Sequence, residues 1–445
     1  MRQDHQALLH AALARPLGSC FTAVPDVSLE DLSTSDTFGC VIRQPSSDQS
    51  TDLFCDGLSE LRGGGYALVI LSGGQATRIG TTLPKALLPI SPVRRKTLLQ
   101  LHLERVKRLC TLMGPGCPQP YVFILTSCFN HDTILGYLES VRYFGMDKHR
   151  IVLFMQGNMP CLSVDSHGYF TSGPGNPQGA EGIGLTSEDN IIVCPNGNGA
   201  VFQALAECKE FMSVIGTLKM LHVIAIDNSL SRPLDPELVG LSLRSPGVEV
   251  LNKCIVRREN ENLGVFCMEN STCIVEYSEL EKVANASFLS GATTVYGNIC
   301  DHMFSGTFLR RVIDDCLYQQ LPYHVAKKLI PYFDPILQRT IKPECPNGYK
   351  LELFIFDIFQ FSKKVLCVEV DRSVQFAPVK YLSDCDAANI QSVQHRMSDV
   401  AKGWLNCVGC SVGDGFVDIS PNLSYAGEGL ERFASTRIDG PVYLE

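Results

Sequence analysis

The chain has 445 residues, which at roughly 150 residues per domain allows up to three domains and a sizeable buried core. Hydrophobic residues make up 45% and charged residues 19%, a globular composition that argues against extensive disorder. The 38 Lys and Arg residues against 47 Asp and Glu give a net charge of −9, which disfavours nonspecific binding to nucleic acid or to anionic membranes. Any anionic ligand must therefore be bound by a local group of cations.

Hydropathy and cysteine spacing narrow the class of protein further. No stretch approaches the ~20 apolar residues that span a membrane, so we expect a soluble protein. The 19 cysteines form an odd-numbered set without a disulfide framework, which indicates reduced thiols and a cytoplasmic location. Cys407 and Cys410 form a Cys-x-x-Cys pair, but no second pair completes a zinc site. A metal or redox role for this pair is therefore disfavoured.

The first predicted elements lie at the N-terminus and around a run of glycines. Residues 1–62 are predicted to form a peripheral region with a short helix over residues 7–14. Glycines 63–65 then precede Tyr66–Leu71, a continuous apolar run that predicts a strand buried on both faces. This run is the first strand of the predicted core.

Strands and helices alternate after this first strand. Such alternation predicts an α/β fold with a mostly parallel sheet covered by helices. The predicted elements are a helix over residues 97–110, a strand over 121–126, a helix over 134–144, a strand over 151–155, a strand over 191–194, a helix over 201–211 and a strand over 222–226.

Two regions interrupt this rhythm and set the predicted domain boundaries. Residues 166–184 are dense in Gly, Pro and Ser and are interpreted as a surface insertion without assigned chemistry. The alternation fades after residue 380. We therefore expect a core domain over residues 63–380 and a small C-terminal subdomain over residues 381–445.

Polar, glycine-containing segments follow four of the predicted strands. In open α/β sheets, ligands bind beyond the carboxyl ends of the strands. We therefore expect these segments to converge on one crevice. They are residues 72–74, 156–157, 196–199 and 227–228.

The loop after the first strand combines glycines with cations. Gly73 and Gly74 allow backbone amides to approach a ligand closely, and Arg78 can donate two hydrogen bonds to phosphate oxygens. Lys85 follows seven residues later. The loop matches neither the P-loop nor the Gly-x-Gly-x-x-Gly dinucleotide motif, so kinase and dehydrogenase functions lose support. A plain tight turn remains the alternative for the glycines alone.

Residues 71–85 resemble the signature loop of UDP-N-acetylglucosamine (UDP-N-acetylhexosamine) pyrophosphorylases. Further segments resemble motifs of that family in the same order, namely residues 195–199, 275–279, 297–300, 350–357, 376–380 and 424–430. The resemblance implies a Rossmann-like nucleotidyltransferase domain with a mostly parallel or mixed sheet. It also implies that an N-acetylhexosamine 1-phosphate attacks the α-phosphorus of UTP. The expected products are UDP-N-acetylglucosamine, or its N-acetylgalactosamine epimer, and pyrophosphate.

The resemblance also assigns roles to charged residues. It implies that Arg78 holds the β- and γ-phosphates, Lys85 the α-phosphate, and Lys380 the sugar phosphate, so these three are the candidate catalytic residues. Asp227, at the end of an apolar strand, would coordinate Mg²⁺ together with phosphate oxygens. Taken without the resemblance, Asp227 is better explained as an ordinary turn or cap residue.

Nucleotide and sugar contacts are assigned in the same way. The resemblance implies that the Gln156 amide pairs with uracil, with backbone groups at Gly73, Gly74 and Gly197 completing the nucleotide site. In isolation, Phe354 would fit core packing equally well and Glu276 would fit a solvated strand. The residues that the resemblance places at the sugar are Asn198, Gly264, Glu276, Asn298 and Phe354.

Three positions depart from the family pattern and keep alternatives open. Ala76 and Ala200 stand where glycine is usual, and Asn196 stands where aspartate is usual. We expect these changes to alter binding constants rather than abolish the chemistry. The alternatives are a UDP-glucose or broader UDP-sugar pyrophosphorylase and a noncatalytic UDP-sugar-binding regulator. A glycosyltransferase using Asp384 and Asp386 as an Asp-x-Asp motif is disfavoured, because no strong strand signal precedes the motif.

Overall fold

The computed structural model of the chain describes residues 8, 11–14, 21–31, 39–74, 83–163, 192–280, 283, 293–334, 337–380 and 388–445. Its centre is a 12-stranded sheet. The strands of this sheet are β1 (Thr22–Ala23), β2 (Asp26–Val27), β3 (Gly39–Ile42), β4 (Tyr66–Leu71), β5 (Tyr121–Thr126), β6 (Ile151–Met155), β7 (Met220–Ala225), β8 (Val250–Val256), β9 (Val265–Met268), β10 (Thr272–Val275), β11 (Tyr296–Ser305) and β12 (Val365–Glu369).

The sheet is mixed but dominated by parallel pairs. Its main path runs β2-β3-β12-β8-β11-β7-β4-β5-β6. Strand β11 is antiparallel to both of its neighbours, β8 and β7, while every other pair on this path is parallel. Strands β1, β9 and β10 extend the sheet beside β11 through antiparallel pairs. The carboxyl ends of the parallel strands therefore lie along one edge, and the predicted α/β fold is confirmed.

Helices cover both faces of the sheet. Successive residues of β4 enter two different cores: Leu68 and Ile70 pack on one side, and Ala67, Val69 and Leu71 on the other. This explains why β4 is apolar at every position. Residues 11–14 are helical. The other α-helices of the described residues are α1 (Ser47–Arg62), α2 (Leu98–Met113), α3 (His131–Ser140), α4 (Val201–Glu207), α5 (Lys209–Val214), α6 (Pro236–Leu243), α7 (Gly306–Asp314), α8 (Arg372–Gln375) and α9 (Ile390–Cys407).

Shorter elements complete the fold around the sheet. The 3₁₀ helices are Lys85–Leu87, Arg142–Gly145, Lys148–Arg150, Asn198–Ala200, Ile215–Thr217, Leu317–Gln320, Ile355–Phe361 and Glu431–Phe433. The small sheets pair Asn158–Pro160 with Val193–Pro195, Gly348–Glu352 with His324–Lys328 and Leu162–Ser163, Tyr332–Asp334 with Arg339–Ile341, Ser411–Val412 with Arg437–Ile438, and Val417–Ile419 with Val442–Leu444.

The N-terminal region contributes more to the sheet than its sequence indicates. Strand β3 is buried at all four positions between β2 and β12. Helix α1 begins with a capping box formed by Ser46 and Gln49 and packs closely against α6. An added Cβ at Gly57 would collide with the carbonyl oxygen of Pro236. The sequence signal is weak here because β3 is short and α1 is polar over most of its surface.

The C-terminal segment has its own small core and also contacts the main domain. Leu405, Val417 and Leu430 belong to the small core. Tyr425 donates a hydrogen bond of 3.0 Å to the Pro233 carbonyl oxygen and is fully buried. The segment is therefore anchored to the helical layer that includes α6. Among the described residues, no helix is both long enough and apolar enough to cross a membrane.

Candidate active site

The segments predicted to form a crevice lie together at the carboxyl edge of the sheet. Strands β7, β4, β5 and β6 are consecutive neighbours, so the segments that follow them lie side by side. Gly73, Gln156 and Asp227 stand just beyond β4, β6 and β7. Because β11 runs in the opposite direction, its amino-terminal part, which contains Asn298, reaches the same edge. The topology therefore gathers residues from distant parts of the chain.

A carboxylate flanked by two lysines occupies this edge. The Lys85 Nζ atom lies 3.1 Å from Asp227 Oδ2, and both side chains are partly exposed. Lys380 is brought near because the Val379 N–H donates to the Asp227 carbonyl oxygen at 3.0 Å. Burial alone would raise the pKa of Asp227, but Lys85 and Lys380 outweigh it and hold the pKa below its ordinary value. The carboxylate is therefore ionised at neutral pH.

Two of the three predicted catalytic cations are thus close to one carboxylate. Lys85 and Lys380 are separated by almost 300 positions in the sequence, and both act on Asp227. Arg78 lies in residues 75–82, outside the described part of the chain, as does Ala76. Its phosphate-binding role stays a prediction. Asp384 and Asp386 also lie outside the described residues.

The predicted nucleotide contacts pack against one another. Gln156 is 6% exposed, and its backbone N–H donates to the Thr126 carbonyl oxygen at 2.9 Å. A Cβ added at Gly73 would collide with the Gln156 amide, so only glycine fits there without displacing it. Gly197 has φ of 94° and lies against the backbone of Leu353. Both constraints explain why these loops carry glycine. Gly74 is exposed, with open space where a side chain would be.

Two buried polar atoms near these loops lack a hydrogen-bond partner among the described residues. Ser72 Oγ follows β4 directly, and Asn196 Oδ1 stands beside Gly157. Their side chains are 3% and 6% exposed. Buried polar groups are normally hydrogen-bonded, so such atoms in a crevice are candidates for contact with a ligand. Ser72 could not be predicted as a site residue from the sequence, since a serine after a strand carries no distinctive signal.

All five residues predicted to contact the sugar lie in one connected group. The Asn298 N–H donates to the Gly264 carbonyl oxygen at 2.8 Å, and Gly264 packs beside the Glu276 carboxylate. Asn198 Oδ1 accepts from the Ile355 N–H at 3.0 Å, next to Phe354. Sequence motifs that were up to 156 positions apart therefore form one wall of the crevice.

Cys300 connects the asparagines of this group. Asn298 Oδ1 accepts from the Cys300 N–H at 2.9 Å, and the Asn198 amide nitrogen lies 3.8 Å from Cys300 Sγ. Cys300 has φ of 57° at an irregularity in the pairing of β8 with β11. Burial raises the pKa of the Cys300 thiol to about 12, and Asp227 adds to the effect. The thiol is therefore protonated at neutral pH and close to the charged end of the crevice.

Glu276 is an unusually basic carboxylate. Burial, followed by the neighbouring Glu279 carboxylate, raises the pKa of Glu276 to about 7, although His324 and Lys380 oppose the shift. This environment differs from that of a solvated strand residue. A carboxyl group that titrates near neutral pH can accept hydrogen bonds from sugar hydroxyls when it is ionised.

A histidine that no sequence motif indicates lies beside the residues predicted to contact the sugar. His324 is 6% exposed and lies between two carboxylates, with Nδ1 at 3.0 Å from Glu279 and Nε2 at 2.8 Å from Asp357. Its ring centroid is 4.3 Å from that of Phe354. Phe354 is only partly buried, and its ring contacts this histidine. No motif points to His324, because its partners come from other segments.

The fit of a metal ion depends on Asp227. Within the described ranges, no three His, Cys, Asp or Glu side chains are grouped closely enough to form a metal site by themselves. Mg²⁺ commonly binds through one or two protein carboxylates together with substrate phosphates and water. An ionised, partly exposed Asp227 at the crevice fits this arrangement.

Comparisons with known proteins match this arrangement. Residues 64–407 match the family described as UTP–glucose-1-phosphate uridylyltransferase. UDP-N-acetylglucosamine pyrophosphorylase of Saccharomyces cerevisiae is 31% identical over 392 residues, covering 86% of this chain and 79% of that protein. The chain belongs to the UDP-N-acetylglucosamine (UDP-N-acetylhexosamine) pyrophosphorylase family.

Other members of this family agree with the assignment. UDP-N-acetylhexosamine pyrophosphorylase-like protein 1 of Homo sapiens is 31% identical, covering 85% of this chain and 77% of that protein. The crystal structure of a candidate UDP-N-acetylglucosamine pyrophosphorylase from Entamoeba histolytica has a TM-score of 0.75 at 27% identity, covering 89% of this chain and 97% of that one. The predicted family is therefore confirmed. The matched range, residues 64–407, continues beyond residue 380 and includes helix α9.

Proposed function

We propose that this protein is a uridylyltransferase that makes UDP-N-acetylglucosamine and pyrophosphate from UTP and N-acetylglucosamine 1-phosphate. The observation that carries the proposal is the ionised Asp227 flanked by Lys85 and Lys380 at the strand ends, in a chain of this family. A crevice with paired opposite charges suits substrates that bring phosphates and a divalent cation together.

Charge neutralisation is the main task of the proposed reaction. The sugar phosphate and the α-phosphate are both anions, so their approach is opposed by Coulomb repulsion. Lys380 is assigned to the sugar phosphate and Lys85 to the α-phosphate, and both lysines lie near Asp227. Cations held in place in this way offset the repulsion and keep the attacking oxygen and the pyrophosphate leaving group in line. No covalent protein intermediate is needed.

We assign Asp227 to Mg²⁺. When bound, the ion would offset the negative charge of the triphosphate and of the departing pyrophosphate. Lys85 then has a second role, because its contact with Asp227 holds the carboxylate in one orientation. We also propose a cytoplasmic location, supported by the free thiols of the described cysteines.

Base and sugar recognition are assigned to the two ends of the crevice. Gln156, Gly73 and Gly197 form the proposed uracil end, where the amide of Gln156 can both donate to and accept from the base. The group containing Asn198, Glu276 and Phe354 forms the proposed sugar end. The acceptors and the aromatic ring there suit a sugar with hydroxyl and acetamido groups.

A substrate panel tests the proposal. Purified protein is incubated with UTP, Mg²⁺ and each of four sugar 1-phosphates, those of N-acetylglucosamine, N-acetylgalactosamine, glucose and galactose, and pyrophosphate release is measured. The fastest release is expected with an N-acetylhexosamine. A clear preference for glucose 1-phosphate would favour the UDP-glucose alternative, which the description of the matched family keeps open. Binding of UDP-N-acetylglucosamine without any turnover would identify a noncatalytic binding protein.

A single substitution tests the phosphate-binding loop. Replacing Arg78 with alanine is expected to slow turnover by on the order of 10²-fold or more, the usual contribution of a preorganised donor. Replacing Lys209, an exposed lysine at the start of α5, is the matched control. An undiminished rate in Arg78→Ala would remove this residue from the proposed mechanism.

A further inference from the structure

The side chain of His324 connects two turns that the sheet alone does not hold together. His324 begins the strand His324–Lys328 in a small sheet outside the main one. One ring nitrogen faces Glu279 at 3.0 Å and the other faces Asp357 at 2.8 Å. These three side chains come from three separate segments of the chain.

Each partner of His324 belongs to a tight turn with a residue of the proposed sugar end. The Glu279 N–H donates to the Glu276 carbonyl oxygen at 2.9 Å, which closes a turn from Glu276 to Glu279. The Asp357 N–H donates to the Phe354 carbonyl oxygen at 3.2 Å, which closes a second turn. A bond to Glu279 therefore restrains Glu276, and a bond to Asp357 restrains Phe354.

We propose that His324 is a positioning residue that fixes Glu276 and Phe354 relative to each other and so shapes the pocket for the sugar. The inference rests on the proposed function for the identity of the substrate. It assigns His324 no contact with reacting atoms. Its effect is instead transmitted through the two turns and through the ring contact with Phe354.

The chemistry of imidazole suits this role. Only the doubly protonated imidazolium donates a hydrogen bond from both nitrogens, so it can join two carboxylates at once. The bonds to Asp357 and Glu279 outweigh burial and raise the pKa of His324 to about 9. The ring is therefore charged at neutral pH. Asparagine and glutamine carry both of their N–H donors on one nitrogen, so neither can join two carboxylates on opposite sides as imidazolium does.

A binding comparison tests the proposal directly. UDP and UDP-N-acetylglucosamine are titrated by calorimetry against the wild type and against His324→Gln, because only the second ligand carries the sugar, and the wild type corrects for the extra negative charge on the free β-phosphate of UDP. We expect affinity for UDP-N-acetylglucosamine to fall about tenfold, the size of a lost charge-assisted contact, while affinity for UDP stays within about twofold. Asp357→Asn and Glu279→Gln each weaken one of the two hydrogen bonds. Both should therefore also lower the affinity for UDP-N-acetylglucosamine and not the affinity for UDP.

The kinetic counterpart separates positioning from general damage. We expect KM for the sugar 1-phosphate to rise in His324→Gln while KM for UTP is unchanged. His395→Gln is the control, since His395 is an exposed histidine that contacts the ring of Phe416 in the C-terminal segment. Thermal unfolding of each variant shows whether it is folded, and Asp357→Asn replaces His324→Gln if the latter is not.

Two outcomes overturn the proposal. If His324→Gln binds UDP and UDP-N-acetylglucosamine equally more weakly than the wild type, His324 supports the fold in general. If the affinities for both ligands are unchanged, the two turns do not need His324 to hold their positions. Failure of the proposed function is distinguishable, because a wild type that binds both ligands but releases no pyrophosphate would refute catalysis while the binding comparison still decides the role of His324.

Discussion

Two groups of charges in this molecule have the same components but different surroundings. The first group, which we call the buried network, consists of Lys253, Asp235, His222 and Asp301. In it, Lys253 lies 2.5 Å from Asp235, and these two side chains are 2% and 1% exposed. In the crevice, Lys85 lies 3.1 Å from Asp227, and these side chains are 21% and 24% exposed. The buried pair is enclosed by protein, whereas the crevice pair can be reached by a ligand. Burial, more than residue type, therefore distinguishes the ion pair enclosed by protein from the ion pair that a ligand can reach.

The buried network holds together the strands that present the crevice. His222 of β7 and Asp301 of β11 are joined by a bond of 2.8 Å, and Lys253 of β8 also lies near Asp301. Burial would raise the pKa of Asp301, but Lys253 and His222 outweigh it and lower the pKa. Lys253 also donates to Gln375 at 2.9 Å. Each charge thus has partners inside the protein.

The largest expected effect comes from breaking the buried network. Lys253→Met leaves Asp235 as a buried charge without its cation, which typically costs about 3–5 kcal/mol of stability. Urea denaturation followed by circular dichroism measures the loss. A variant as stable as the wild type would show that Asp235 finds other compensation and that the network is dispensable.

Removing Lys85 from the crevice should have the opposite effect, with a large loss of activity and little loss of stability. Lys85→Ala is expected to reduce kcat by about 10²–10³-fold, since it removes a preorganised positive charge from the proposed phosphate site. Its free energy of unfolding should change by less than about 1 kcal/mol, because partly exposed ion pairs contribute little. Steady-state kinetics and urea denaturation on the same preparation check both halves. A large stability loss would contradict the contrast between the two groups.

A change in packing near the buried network tests the same contrast between stability and activity without altering any charge. In Gly57→Ala the new methyl group meets the Pro236 carbonyl oxygen, at the start of the helix that Asp235 caps. Overpacking of this kind typically costs about 1–3 kcal/mol. Both KM values should stay unchanged because the contact is between helices α1 and α6, away from the strand ends. Altered KM values would mean that the two regions are mechanically coupled.

The smallest effect concerns the pH dependence of Glu276. Its pKa of about 7 lies above the ordinary value of 4.5, so the native state loses stability relative to the unfolded state as pH rises from about 4.5 through 7. Glu276→Gln lacks this penalty and should be more stable than the wild type above pH 7. The full shift corresponds to about 3 kcal/mol, which solvent screening of the partly exposed side chain reduces to about 1–2 kcal/mol. It should also bind the sugar substrate more weakly. Urea denaturation at pH 5 and pH 8 tests the difference, and equal stability of the two proteins at both pH values would contradict it.

Where an element is buried on both faces, the sequence predicted it well. The predicted ranges of β4, β5 and β6 agree with the structure residue by residue. Strands β4 and β5 have a neighbour on each side, and central parallel strands must be continuously apolar. Strand β6 ends the main path and is only partly buried, but it too is apolar at every position. The helix expected over residues 201–211 is instead divided at Cys208, which has an extended backbone between α4 and α5. Neither glycine nor proline marks that break. Boundaries of this kind depend on packing, which periodicity does not report.

The candidate site divides in a similar way. Motifs in the sequence supplied Asp227, Lys85 and Lys380, and the structure brings them together at one edge of the sheet. The sequence did not predict His324 as a site residue, because its partners Glu279 and Asp357 lie 45 and 33 positions away along the chain. A lone histidine near the start of a short strand gives no sign of such partners.

The amino-acid sequence by itself determined the α/β class, the family and the identity of most of the predicted site residues, since these depend on local hydrophobic runs and on short motifs. The tertiary structure decided that β11 runs against its neighbours, that Gly39–Ile42 joins the central sheet, and that the half-buried Glu276 shares a turn with Glu279, the partner of His324. The reason is physical: strand order, burial and the distances between charges are properties of contacts between remote segments. Such contacts exist only once the chain is folded.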